Sequence, residues 1–274
     1  MDATQLYLDL IKKTLSYLLW KDPGRPVESF IYKLPGYSKP LVKLVVASLR
    51  KANLQLVRKL NYSDEEREHG KIWPSQADTM VGMKRLDNIQ FCVETVLKEG
   101  IPGDLIETGV WRGGASIFMR AILAAHGVSD RRVFVADSFR GLPEPDTERY
   151  PQDKGDMLYV EEFLAISQEQ VAANFRKYGL LDNQVVFLEG WFKDTLPTAP
   201  TAQLAVMRLD GDMYESTIDA LNALYPKLSK GGFCIIDDYF LPGCKRAVED
   251  FRARESVKTP LAEIDWGSRF WRKE

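Results

Sequence analysis

Asp104-Leu-Ile-Glu-Thr-Gly-Val-Trp-Arg-Gly-Gly-Ala-Ser116 runs from a short apolar strand, Leu105–Glu107, through a glycine-rich turn into a helix over about 115–125. A strand that passes directly into a helix is the building unit of a parallel sheet.

Working outward, the same unit recurs. Apolar runs at Val133–Ala136, Val185–Leu188, Ala205–Leu209 and Phe233–Ile236 alternate with helical periodicity at about 167–178, 215–228 and 244–254. Ser167-x-x-Gln170 and Asp212-x-x-Glu215 carry helix-start signatures. The tail breaks the alternation, with two short strands, Leu261–Ile264 and Arg269–Trp271, around the hairpin-like turn Asp265-Trp-Gly-Ser268. The expected fold is α/β: a Rossmann-like, mostly parallel seven-stranded sheet with an antiparallel C-terminal strand.

Residues 1–100 read differently. Leu6 to Trp20 has apolar residues at helical spacing and stops at Asp22-Pro-Gly; 78–99 form another helix, capped at Asp78-Thr79 and closed by Gly100. Between them lies a Pro/Gly-rich stretch and a basic amphipathic helix, Leu41 to Leu60. Arg25, Lys33, Lys39, Lys43, Arg50, Lys51, Arg58 and Lys59 face the single acid Glu28. A membrane-surface or partner-binding arm is one reading of that helix. The preferred one is a helix packed on a neighbour or a dimer mate with its basic face in water. We therefore expect 1–100 to be a helical lid and dimerisation region, and 101–274 the sheet domain. Leu142 to Tyr159 is a long polar loop that can serve as a mobile lid.

The global composition is that of an ordinary soluble protein. The 274 residues carry a net charge of −2 and are 45% hydrophobic, which gives nucleic acid no reason to bind. Three cysteines, Cys92, Cys234 and Cys244, have neither disulfide nor metal spacing. No apolar run approaches the ~18 residues of a membrane span, and the start lacks a basic segment followed by an apolar one. A cytoplasmic location is expected. Only His69 and His126 represent histidine, so the chemistry falls to carboxylates.

In an open α/β sheet, ligands gather at the carboxyl ends of the strands. Glu107 and Gly109 stand at the first such end, Asp137 at the second, Gly190-Trp191-Phe192 at the third. The spacing Glu-x-Gly-x-x-x-Gly is not the one that cradles a pyrophosphate. It suits S-adenosylmethionine instead. Glu107 would face the cofactor's cationic part, and the helix opening at Gly113-Gly114-Ala115-Ser116 would face its carboxylate. Asp137 would accept the ribose hydroxyls, and Trp191 would cover the adenine. Singly, these residues read equally well as a tight turn, a cap and a core aromatic. Asp210 and the pair Asp237–Asp238 follow two buried strands directly; such oxygen ligands suit Mg²⁺ or Mn²⁺. A solvated turn is the plainer reading of that pair. Asp210 is the preferred general base. Asp212 is the second choice, with helix capping as its plainer role.

Glu107-Thr-Gly-Val-Trp-Arg-Gly-Gly, Ala136-Asp-Ser-Phe-Arg-Gly-Leu-Pro, Glu189-Gly-Trp-Phe-Lys-Asp-Thr-Leu-Pro, Leu209-Asp-Gly-Asp-Met-Tyr-Glu-Ser-Thr and Gly231-Gly-Phe-Cys-Ile-Ile-Asp-Asp-Tyr together resemble the macrocin O-methyltransferase family. The resemblance covers 75–274 well and includes Leu6–Trp20; the stretch 24–62 has no counterpart. It implies a class I methyltransferase fold and S-adenosylmethionine- and Mg²⁺-dependent methylation of a sugar hydroxyl on an antibiotic-type natural product. The metal would lie on Asp210, Asp237 and Asp238. The cofactor would lie on Met80, Glu107, Thr108, Gly109, Val110, Trp111, Gly114, Ala115, Ser116, Asp137, Ser138, Gly190, Trp191 and Phe192. Trp73, Met80, Tyr150, Tyr159, Tyr214 and Tyr239 would suit a bulky, partly apolar acceptor bearing a sugar, and a homo-oligomer is expected. The competing readings are a catechol-type metal-dependent O-methyltransferase, which favours Asp-Asn where this chain has Asp237–Asp238, and a non-catalytic adenosine-binding scaffold.

Overall fold

The computed structural model describes residues 2–59 and 61–274. The chain opens with α1 (Ala3–Leu15), whose first turn is capped by Asp2 and whose Leu8 and Leu15 are fully buried. The helix does not reach Trp20 as expected. Tyr17 turns left-handed at φ 59°, and Leu18 N–H donates back to the Lys13 carbonyl, a closing turn typical of helix ends. A two-residue strand β1 (Arg25–Pro26) and a 3₁₀ stretch at Val27–Lys33 lead to α2 (Lys39–Lys51).

The basic helix predicted for 41–60 therefore ends at Lys51. Asn53, a residue that tolerates positive φ, sits at 57°, and Leu54 N–H returns to the Leu49 carbonyl. Beyond it, β2 (Val57–Arg58) pairs antiparallel with β1; Leu60 and Met1 lie outside the described residues. A short helix α3 (Asp64–Glu68) precedes α4 (Met83–Lys98). The Asp78-Thr79 cap is a misreading: Gly82 is the N-cap. The 78–79 backbone N–H groups donate instead to the Leu15 carbonyl, docking this segment on the end of α1.

From there the alternation holds. β3 (Asp104–Thr108), α5 (Gly114–Ala125), β4 (Val133–Asp137), α6 (Gln168–Lys177), β5 (Val185–Glu189), the single turn α7 (Phe192–Thr195), β6 (Leu204–Leu209), α8 (Tyr214–Leu224), β7 (Leu228–Ile236) and α9 (Pro242–Arg254) follow in order. β8 (Ala262–Glu263) and β9 (Arg269–Arg272) complete a seven-stranded sheet of order β5-β4-β3-β6-β7-β9-β8. The five strands β3 to β7 run parallel; β9 pairs antiparallel with β7, and β8 antiparallel with β9, as the tail pattern implies. Asp265 Oδ1 builds the last turn by accepting the N–H groups of Gly267 and Ser268.

α1, α4 and α5 cover one face of the sheet and share one apolar cluster with it. α8 and α9 pack into the cluster on the other face. The order reverses between β3 and β6, whose following helices, α5 and α8, lie on opposite faces of the sheet, and this leaves a crevice at the carboxyl ends of the two strands.

Candidate active site

A cavity of about 480 Å³ opens at that reversal point. Of the expected cofactor residues, Met80, Glu107, Gly109, Val110, Trp111, Ala115, Asp137, Ser138, Gly190, Trp191 and Phe192 line it. Thr108, Gly114 and Ser116 do not; they stand behind the wall. Ser116 Oγ donates to the Glu107 carboxylate, and Gly114 N–H donates to the Asp78 carbonyl at 3.0 Å. A Cβ on Gly114 would lie 2.5 Å from that carbonyl, so this glycine serves packing.

Gly109 also differs from expectation. At φ 77°, a Cβ there would fall 1.6 Å from the Asp210 carbonyl, so the close approach it permits is between the ends of β3 and β6. Asp137 accepts the N–H groups of Val110 and Phe139, each at 2.7 Å, and so shapes the glycine-rich turn. Burial raises its carboxyl above the ordinary value despite those donors. Trp111, at φ 47°, is held by Nε1 donating to the Phe163 carbonyl at 2.9 Å. The Phe163 ring stacks on Trp73 at 5.9 Å, and the Arg25 guanidinium lies 3.9 Å from the centre of the Phe163 ring.

The acids converge as the sequence suggests. One oxygen from each of Asp210, Asp237 and Asp238 lies within 4.8 Å of the others. Behind them run two arginines that sequence reasoning missed. Arg208, one residue inside the end of β6, meets Glu107 Oε1 at 2.5 Å, Asp210 Oδ2 at 2.9 Å and Asp237 Oδ1 at 2.5 Å. The last is an ion pair without hydrogen-bond alignment, so that buried Asp237 oxygen is matched by charge alone. Arg85 of α4 donates to Asp237 Oδ2 at 2.6 Å and to Asp265 Oδ2 at 2.8 Å. An arginine inside an otherwise apolar strand, as in Leu204-Ala-Val-Met-Arg-Leu209, was the available signal for Arg208. A buried guanidinium needs carboxylates around it.

Two guanidinium groups do not balance the carboxyls Glu107, Asp210, Asp212, Asp237, Asp238 and Asp265. Burial, then the negative charge of Asp210 and Asp212, pushes Asp238 well above the usual carboxylate range. Burial and Asp210 do the same to Asp212. Asp237 is lowered: burial opposes its charge, but Arg208 and Arg85 overcome it. A largely buried, oxygen-only set with surplus negative charge fits a hard divalent cation.

Asp212 is not a helix cap. It sits at φ 57°, its N–H donates to Asp238 Oδ2 at 3.1 Å, and among the described residues its carboxylate makes no hydrogen bond or ion pair. Asp153, absent from the sequence reading, caps α8 instead.

Trp73 and Met80 line the cavity as expected for acceptor contacts, whereas Tyr150, Tyr159, Tyr214 and Tyr239 do not. Tyr150 and Tyr214 pack on each other at 5.8 Å, and Tyr214 donates to Asp250. Phe240, between β7 and α9, and Trp266, on the β8–β9 turn, add to the cavity's aromatic wall 4.6 Å apart, with Phe240 N–H donating to the Gly267 carbonyl of that turn at 3.1 Å.

The family model for macrocin O-methyltransferases matches residues 4–273, so it also takes in the stretch 24–62, which the sequence motifs left without a counterpart. A tetracenomycin 4'-O-methyltransferase of Streptomyces olivaceus, whose substrate carries a dimethoxyrhamnosyl group, is 52% identical over 99% of this chain and 94% of its own length. The mycinamicin III 3''-O-methyltransferase of Micromonospora griseorubida is 46% identical over 99% of this chain and 97% of its own. The solved O-methyltransferase NovP is 46% identical with a TM-score of 0.84, covering 98% of this chain and 99% of that one. A calicheamicin methyltransferase, CalS11, shares the fold at 19% identity and a TM-score of 0.58 over 87% of this chain and 94% of that one. With its strand-end turn, converging acids and matched relatives, this chain belongs to the macrocin O-methyltransferase family and is an S-adenosylmethionine-dependent O-methyltransferase.

Proposed function

We propose that the enzyme methylates a hydroxyl of a sugar carried by a natural product, with Mg²⁺ or Mn²⁺ held by Asp210, Asp237 and Asp238. The observation that carries this is the carboxylate-rich end of the cavity beside an aromatic wall. Asp210, Asp237 and Asp238 converge within 4.8 Å, and Trp73, Phe240 and Trp266 line the same cavity. A bound divalent cation would lower the pKa of an acceptor hydroxyl.

The chain's own groups do the rest. Glu107, Gly109, Val110, Trp111, Asp137 and Trp191 bind and orient the cofactor. The aromatic wall takes an apolar aglycone and excludes water. We assign Asp212, rather than the sequence-preferred Asp210, as proton acceptor. Asp210 is tied to Arg208 at 2.9 Å, while Asp212 lines the cavity, its carboxylate free of partners among the described residues, and takes the hydroxyl proton at a carboxylate oxygen. Residues 1–100 cap the site, supplying Trp73, Met80 and Arg85, and build a homodimer contact; the enzyme works in the cytoplasm.

Glycosylated antibiotics incubated with S-adenosylmethionine and Mg²⁺ should gain a single methyl by mass spectrometry, and EDTA should abolish the gain. Asp212→Asn should cut turnover at least ~100-fold, beyond rescue by added metal. Full activity in EDTA removes the metal from this reading, and methylation of catechols in preference to sugars removes the acceptor.

A further inference from the structure

We propose that Asp153, in the loop between β4 and α6, is a positioning residue that ties this loop to the metal carboxylates through the first turn of α8. The inference rests on the reading of Asp210, Asp237 and Asp238 as cation ligands.

α8 starts without a cap of its own, because the residue in the capping position is Met213. Asp153 supplies the cap from outside: Oδ1 accepts Tyr214 N–H at 2.6 Å, and Oδ2 accepts Glu215 N–H at 3.0 Å. It is only 4% exposed. A carboxylate in that place satisfies two orphan donors and opposes the positive end of the helix dipole. The site is shaped for it, since a Cβ on Gly243, at the start of α9, would fall 2.7 Å from Asp153 Oδ1.

What the outside cap permits lies two residues before the helix. A local cap at Asp212 would need extended backbone and would fold its carboxylate onto the helix. Asp212 instead takes the left-handed φ of 57°, a conformation that aspartate tolerates better than most residues with a Cβ. That conformation points its N–H at Asp238 Oδ2. Asp153 fixes the start of α8, the start of α8 fixes the Asp212 turn, and the Asp212 N–H orients Asp238. Leu142, Leu158 and Leu164, on the same loop as Asp153, line the cavity. Seating the loop over the cavity and aligning Asp238 are thus one event.

Mn²⁺ titration by calorimetry tests this on the full-length enzyme, without an acceptor. Asp153→Ala should weaken Mn²⁺ binding about tenfold or more while S-adenosylmethionine affinity stays within about twofold. Asp153→Asn, whose one carbonyl oxygen keeps one of the two N–H partners, should fall between; it also serves if the alanine variant does not fold. A lower Tm with Mn²⁺ affinity within about twofold of wild type would show Asp153 to be an ordinary helix cap and overturn the proposal. Asp238→Ala is the reference. If it loses Mn²⁺ and Asp153→Ala does not, the positioning role alone is wrong; if neither variant changes Mn²⁺ binding, the cation site is wrong and the proposal falls with it.

Discussion

A guanidinium that is 1% exposed, as that of Arg208 is, survives inside a sheet only when carboxylates surround it. Burial opposes its charge, yet Asp237, Asp210 and Glu107 hold its pKa well above the ordinary value. The same sharing leaves Glu107 short of a full partner. Burial pushes its carboxyl up to about 7, against the pull of Arg208 and Ser116. The two shifts point in opposite energetic directions for one pair, because one arginine divides its charge among three acids. A carboxyl raised from 4.5 to about 7 favours the folded state at low pH, and that contribution is lost as the pH rises through about 7. Relative to Glu107→Gln, the ligand-free enzyme should therefore lose stability between about pH 5 and about pH 8, by at most about 3 kcal/mol. Thermal unfolding of both proteins across that range checks it. A flat difference would mean that Glu107 stays charged in the fold. The cofactor's positive charge should restore the ionised form, so S-adenosylmethionine affinity should rise over the same interval.

The meeting of β3 and β6 depends on a single missing side chain. Gly109→Ala would set a Cβ 1.6 Å from the Asp210 carbonyl at a φ of 77°, so the two strand ends must part. We expect a loss of at least about 2 kcal/mol in stability and, because Asp210 moves, weakened Mn²⁺ binding along with weakened cofactor binding. A variant with wild-type Tm and both affinities intact would contradict that geometry. The strands themselves were legible from the sequence, since each buried parallel strand is a short apolar run bounded by turn residues. Asp237 and Asp238 were legible for the same reason, as acids placed directly after such a run. What stayed hidden depended on partners distant in the chain. Asp212 reads as a cap from its spacing to Glu215, but the donors of α8 are satisfied by Asp153, 61 residues from Tyr214. The Asp78-Thr79 signature likewise docks on Leu15 instead of starting α4. Local patterns name the groups available for hydrogen bonding; tertiary contacts decide which of them meet.

At the scale of the molecule, the first hundred residues are not an appendage. Leu8 and Leu15 of α1 and Leu86 and Ile89 of α4 are fully buried in the same cluster as Ile117 and Phe118 of α5. Removing residues 1–70 would therefore open the core as well as the cavity wall. Leu8→Ala alone should cost about 2–5 kcal/mol. α2 is another matter. Leu41, Leu44 and Val45 are exposed on it, as are Leu6 and Leu10 on α1, and substitution there spares the core. If this region builds the homodimer proposed above, Leu44→Asp places a charge in an apolar contact and should shift the enzyme toward monomer in sedimentation equilibrium. S-adenosylmethionine affinity should stay within about twofold, because Leu44 does not line the cavity. A wild-type enzyme that sediments as a monomer at tens of micromolar (on the order of 10⁻⁵ M) would remove the dimer from this reading, since a specific interface buries enough surface to hold together at that concentration. A dimer untouched by Leu44→Asp would move the contact off α2 and leave the exposed face of α1, at Leu6 and Leu10, as the next place to substitute.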